Sequence, residues 1–139
     1  MKNYNWGIIC GSFDVIHPGY VRMFKDSKNV CDSLLVALQG DPTIDRPEKC
    51  KPVQSLEDRI EILEAIRYVD RVVCYNTEAE LEELLGREIY DVRILGTDYQ
   101  DRTDYTGYKY NKPVYFHRRN HDYSTTALKT RIAESMKGK

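Results

Sequence analysis

The sequence predicts an α/β fold in which helices cover both faces of a five-stranded parallel sheet. Three observations point to it. Five short apolar runs, most of them rich in Val and Ile, are too short to be helices. Amphipathic stretches of helical period separate them. The resulting order, βαβ followed by αβαβ and βα, joins strands through helices, as a parallel sheet requires. The chain of 139 residues suits one domain spanning residues 1–139 around one apolar core.

The first strand, 6–10, runs directly into a glycine-led loop, and the first helix, 19–29, places Tyr20, Val21 and Phe24 at helical spacing. A strand at 33–38 follows. The helix over 55–68 opens with Ser55 and carries Asp58 three residues later, a start resembling a capping box. Its stripe is Leu56, Ile60, Leu63 and then Ile66 or Arg67. After a strand at 71–75, the helix over 77–85 has Thr77 as its cap, Glu80 as the N3 partner and Gly86 as its stop. Strands at 92–95 and 114–116 and a last helix over 124–136 complete the order. Two segments break the pattern. Residues 41–54 carry Pro42, Pro47 and Pro52 with Arg46, Lys49 and Lys51, and residues 99–112 are polar with four tyrosines. Both follow strands, at the ends where open α/β sheets bind ligands, and the first reads as a lid.

Composition excludes several classes. A formal charge of −1 leaves no global basic field, so no nucleic-acid partner is expected. No run approaches the roughly 20 apolar residues of a membrane span, and the N-terminal residues lack the apolar run of a signal peptide. Cys10, Cys31, Cys50 and Cys74 are widely spaced with no C-x-x-C pair, which argues against a zinc site. Cys10 and Cys74 read as core fillers. Free cysteines without an export signal predict a cytoplasmic protein. The acidic cluster between Glu78 and Glu83 reads as a solvated helix face, and His117 and His121 as surface histidines.

The chemistry-bearing run is Gly11-Ser12-Phe13-Asp14-Val15-Ile16-His17-Pro18-Gly19-Tyr20, between the first strand and the first helix. Gly11 lets backbone approach a ligand closely. Pro18 suits a first helical turn. Gly19 leaves room for phosphate against the helix N-terminus, where free N–H groups attract anions. His17 stands beside that point and can donate to an oxyanion. Ser124, at the start of the last helix, offers a hydroxyl and further backbone N–H groups. A dinucleotide-binding dehydrogenase is excluded, because G-x-G-x-x-G is missing after the first strand.

This run resembles the G-T/S/C-F-D-x-x-H-x-G-H signature of the cytidylyltransferase-like nucleotidyltransferases. Arg67-Tyr68-Val69-Asp70 resembles the R-Y-V-D element of the glycerol-3-phosphate branch of that family. Arg118, followed six residues later by Ser124-Thr125-Thr126, resembles its R-T-x-x-G-I-S-T-T element. The segment from Lys51 to Arg59 and the run Gly96-Thr97-Asp98-Tyr99 also look like the ADP-heptose branch. The resemblance implies a Rossmann-like three-layer sandwich of nucleotidyltransferase type. It implies transfer of CMP from CTP, with ATP as the rival nucleotide, to a phosphorylated small molecule such as a polyol or sugar phosphate. Mg²⁺ would be carried by the nucleotide rather than held by a protein metal site, and the protein would be a homodimer. His17, Lys51 and Ser124 would be catalytic. Gly11, Ser12, Phe13, Asp14, Gly19, Tyr20, Lys49, Arg67, Gly96, Asp98, Arg118, Thr125 and Thr126 would join His17 and Ser124 around the nucleotide. Asp14 would mostly support the loop. Arg102, Lys109 and Arg119 would serve the acceptor.

Three departures bear on function. Tyr20 replaces the second histidine of H-x-G-H, so contact with the leaving phosphates weakens or is rerouted. Asp122-Tyr123 replaces the G-I of the last block. Glu80-Leu81-Glu82-Glu83 occupies the region where the glycerol-3-phosphate enzymes offer a lysine. An adenylyltransferase of the ADP-heptose type and a non-catalytic nucleotide-binding homologue are therefore the alternatives.

Overall fold

The structure, a computed structural model, describes residues 2–138. Its strands are β1 (Tyr4–Gly11), β2 (Cys31–Gln39), β3 (Arg71–Tyr75), β4 (Val92–Gly96) and β5 (Val114–His117). They form one sheet in the order β3-β2-β1-β4-β5, parallel throughout. The α-helices are α1 (Pro18–Ser27), α2 (Leu56–Ala65), α3 (Glu78–Arg87) and α4 (Thr125–Ser135). The predicted three-layer α/β architecture is the one observed.

Both sheet faces are covered, which explains why the central strands read as unbroken apolar runs. Ile9, Leu34, Val36 and Leu38 face a layer containing Phe24 of α1 and Leu63 of α2. Ile8, Leu35 and Ala37 face Leu81, Leu84 and Leu85 of α3, with Tyr90 beside them. Adjacent residues of one strand thus serve opposite cores. The chain reverses its winding between β3 and β4, so the carboxyl ends of β1 and β4 flank a topological switch point.

The caps hold as read. Ser55 accepts from the Asp58 N–H at 3.1 Å, and Thr77 with Glu80 closes a full capping box. Other expectations change. Cys74 is exposed, because β3 is an edge strand, so it is no core filler. The acidic face of α3 is not simply solvated. Glu82 accepts from the Gly107 N–H at 3.0 Å and pairs with Lys109 at 3.4 Å, while Thr106 donates to Glu78. Those carboxylates fasten segment 97–112, which coils through two short 3₁₀ turns. Among the described residues, no helix is long and apolar enough to cross a membrane.

Candidate active site

The loop after β1 is built under strain. Phe13 and Val15 both adopt left-handed backbone, at φ 45° and 51°. That region is costly for a β-branched residue, about 1–3 kcal/mol each where it persists. Surrounding bonds hold it. The Asp14 carboxylate, 5% exposed, accepts from the Val53 and Gln54 N–H groups at 2.8 and 3.0 Å and meets Lys129 Nζ at 2.7 Å. Gln54 Oε1 accepts from the Val15 N–H at 2.9 Å. Burial pushes the Asp14 carboxyl up, but Lys129 and the two backbone donors outweigh it and hold the group below the usual carboxylate range.

Beneath this loop lies Arg59, 2% exposed. Its guanidinium donates to the carbonyls of Ser12 (2.9 Å), Gln39 (2.7 Å), Gly40 (2.8 Å), Gln54 (3.1 Å) and Ser55 (3.3 Å). One buried cation therefore joins the ends of β1 and β2 to the start of α2. It also anchors the far end of segment 41–54, whose residues 44–51 are all exposed.

His17 is the N-cap of α1, and its Nδ1 accepts from the Gly19 N–H at 3.1 Å. The ring proton must then reside on Nε2, which makes Nε2–H a donor. Burial first, then nearby His121 and the Arg119 cation, hold the imidazole below the ordinary histidine range, so it is neutral at pH 7. His121 repeats the arrangement, with Nδ1 accepting from the Tyr123 N–H at 3.1 Å. The two rings close on Gly19. A Cβ there would come within 2.5 Å of His121 and 2.8 Å of His17, so glycine is required by space.

Tyr20 packs against one member of this pair. Its ring stacks on His17 at 4.1 Å between centroids. Thr125 Oγ1 lies 2.9 Å from the Asp14 carbonyl and 3.0 Å from the Tyr20 hydroxyl. The carbonyl can only accept, so Thr125 donates to it and the tyrosine donates to Thr125. Tyr20 thus ties α1 to the N-terminus of α4, where Ser124 caps by accepting from the Ala127 N–H at 2.9 Å.

Three hollows open along the carboxyl ends of the strands. The first, about 340 Å³, lies between His17, Gly96, His117, Arg119, His121 and Ser124. The second, about 470 Å³, shares Tyr20, Thr125 and Thr126 with the first and adds Ser12, Lys49 and Lys129. The third, about 290 Å³, meets the first at Met23 and Gly96 and is lined by Arg46, Arg93, Tyr99 and Arg102. Arg93, 7% exposed, lies under the Tyr105 ring at 5.5 Å.

The expected residues divide accordingly. Gly11, Ser12, Phe13, Asp14, His17, Gly19 and Tyr20 form the loop and helix start. Gly96, Asp98, Ser124, Thr125 and Thr126 face it across the first hollow. Of the two lysines, Lys49 lines the second hollow, whereas exposed Lys51 lies 3.8 Å from Asp41 and outside that lining. Arg119 lines the first hollow, while Arg118 is exposed and lines none of the three. Arg102 lines the third, gripping Asp104 through two bonds of 2.9 and 3.1 Å. Like Lys51 and Arg118, Arg67 and Lys109 lie outside the three hollows. Arg67 precedes β3, at the amino end of that strand, so within one chain it is away from the hollows. Lys109 pairs with Glu82 on α3. Lys129 and Arg59 escaped the sequence reading, and His117 and His121, read as surface histidines, are buried and half-buried and line the first hollow.

Comparisons with known proteins bear on the family and the fold. A model of the family described as cytidylyltransferase-like matches residues 8–131. The chain is 41% identical over 97 residues to the bifunctional protein HldE of Gluconacetobacter diazotrophicus, covering 68% of this chain and 19% of that protein. It is 38% identical over 91 residues to the FAD synthase of Pyrococcus horikoshii, covering 66% of this chain and 62% of that one. The chain therefore spans less than two thirds of either relative. In fold it is similar to the lipopolysaccharide core biosynthesis protein of Thermoplasma volcanium GSS1, with a TM-score of 0.65 and 23% identity, over 87% of this chain and 99% of that one. With the signature loop, the switch-point hollows and the match over residues 8–131 together, the chain belongs to the cytidylyltransferase-like family.

Proposed function

We propose that the protein is a nucleotidyltransferase that moves a nucleoside monophosphate from a nucleoside triphosphate onto a phosphorylated small molecule. One observation carries the reading. The N-termini of α1 and α4 and two imidazoles with Nε2–H donors converge on one hollow at the switch point. Helix N-termini attract anions, and neutral imidazole donors stabilise charge that grows on a phosphoryl oxygen.

In this reading the triphosphate spans the first two hollows, and the acceptor enters the third. An oxygen of the acceptor phosphate attacks the α-phosphorus, the bond to the bridging oxygen breaks, and pyrophosphate leaves with both electrons of that bond. His17 donates to an α-phosphate oxygen. His121 takes up the neighbouring contact that Tyr20 cannot make. Ser124 with the α4 N–H groups, Lys129 and Lys49 receive the leaving phosphates. Arg46 and Arg102 serve the acceptor. In this reading Mg²⁺ enters on the nucleotide. The reading includes a homodimer with exposed Arg67 near the interface.

The Arg67-to-Asp70 and Ser124-to-Thr126 blocks favour CTP. The FAD synthase and HldE relatives favour ATP, since an adenylyl group is the part FAD synthesis adds. With Mg²⁺ present, CTP is expected to raise the melting temperature more than ATP, GTP or UTP. At a hundredfold excess over Kd the stabilisation is about 2.7 kcal/mol. A larger shift with ATP moves the protein to the adenylyl reading. No shift with any nucleotide removes the proposal. Pyrophosphate release over a panel of phosphorylated acceptors separates an enzyme from a nucleotide-binding homologue.

Tyr20 supplies a second test. Its hydroxyl is committed to Thr125 and its ring to His17, so Tyr20→His is expected to leave turnover unchanged or reduce it. A rise in rate would mark Tyr20 as a handicap on an otherwise competent site.

A further inference from the structure

His117 ends β5, paired in register with Gly96 at the end of β4. It is 9% exposed and lines the first hollow. Its Nδ1 lies 2.7 Å from one oxygen of Asp26 on α1. The other oxygen of that carboxylate accepts from the Tyr115 hydroxyl at 2.9 Å. A carboxylate only accepts, so Nδ1 carries the proton, and in the neutral ring Nε2 is left as a bare lone pair. That Nε2 is sealed from solvent and has no hydrogen-bond partner. An unsatisfied buried acceptor is costly, so one kept on the wall of a binding hollow marks the place of a missing donor.

The ends of the hollow differ in chemistry. Helix N-termini and the His17 and His121 donors gather where phosphate belongs. The Gly96–His117 step has no α-helix N-terminus, only the one-turn 3₁₀ segment Thr97–Tyr99 that Gly96 leads into, and there His117 offers an acceptor rather than a donor. We infer that His117 reads the exocyclic amino group of the nucleobase by accepting its N–H at Nε2, once the entering base displaces the side chains that cover that nitrogen. The inference rests on the nucleotide reading above. Cytosine and adenine carry such an amino group. Uracil and guanine present a carbonyl oxygen at the matching ring position, and its lone pairs would face that of Nε2. Asp26 is then a positioning residue, fixing the tautomer from α1.

An exclusively structural role, tying α1 to β5, would not sense the base. The discriminating measurement is therefore a ratio of affinities. ATP is compared with purine ribonucleoside triphosphate, and CTP with 2-pyrimidinone ribonucleoside triphosphate. Each analogue lacks only the amino group, and the ratio is read on the pair that binds. The wild type is expected to prefer the amino-bearing nucleotide about five- to tenfold, the scale of one hydrogen bond. In His117→Phe the ratio should fall to about one while the analogue still binds. In His117→Gln, whose side-chain carbonyl accepts, part of the preference should return. A wild type indifferent to the amino group, a comparison that needs no variant, overturns the assignment. So does a folded His117→Phe that keeps the full preference. A wild type that binds none of the four nucleotides overturns the nucleotide reading itself, and the assignment falls with it.

Discussion

Replacing His17 by alanine is expected to lower turnover by about 10² to 10³, the scale measured for single donors to a developing oxyanion. Nucleotide affinity should change much less, because the bond strengthens as charge accumulates on the α-phosphate oxygen in the transition state. The residue has two jobs, so one variant is not enough. His17 Nδ1 also caps α1 through the Gly19 N–H, and losing a cap costs about 1 kcal/mol of stability. His17→Asn keeps a short acceptor at the cap and discards the distant Nε2–H donor. It should therefore retain the melting temperature and still lose the rate. Full activity in His17→Asn would show that His17 matters for the helix start alone.

The largest effect on stability is expected at Arg59. Arg59→Leu retains much of the buried stem and removes the donors to five carbonyls. Leaving several buried acceptors unpaired should cost about 3–5 kcal/mol. Domains of this size hold only about 5–15 kcal/mol in total. The melting temperature should drop by about 10 °C or more, and the denaturant midpoint should move at constant slope. Arg59→Lys, with three donors on a single ammonium, should recover a fraction. A midpoint change worth less than about 1 kcal/mol in Arg59→Leu would mean that water replaces the lost donors.

Features written in local chemistry were legible in the sequence. Apolar runs gave the five strands, Ser55, Thr77 and Ser124 gave helix starts, and the glycine-led run gave the loop between β1 and α1. Features made by distant parts meeting were harder. Arg59 occupies an inward position of the stripe Leu56, Ile60 and Leu63. That was a signal, but only the fold shows that carbonyls of three segments converge on it. Lys129 lies one helical turn beyond Thr125, and its target, Asp14, is 115 positions away. His117 at the end of β5 and His121 in the loop after it are indistinguishable in sequence from surface residues. One caps a turn beside Gly19, and the other is held by Asp26 of a different element. Arg67 went the other way. Its motif suggests a ligand, yet a connection entering a parallel strand must lie at that strand's amino end.

The pairing of Asp14 with Lys129 has a consequence for the order of synthesis. A nascent chain that has reached His117 possesses every strand of the sheet, both α1 and α2, and the buried Arg59. It still lacks α4. The strained backbone at Phe13 and Val15 then has the bonds from residues 53, 54 and 59, but not those of Thr125 and Lys129, to oppose its relaxation. Until the residues through Lys129 have left the ribosome, the first loop waits for the last helix. In the proposed reading, nucleotide acts as a ligand for folding only after α4 has been made, later than every strand of the sheet.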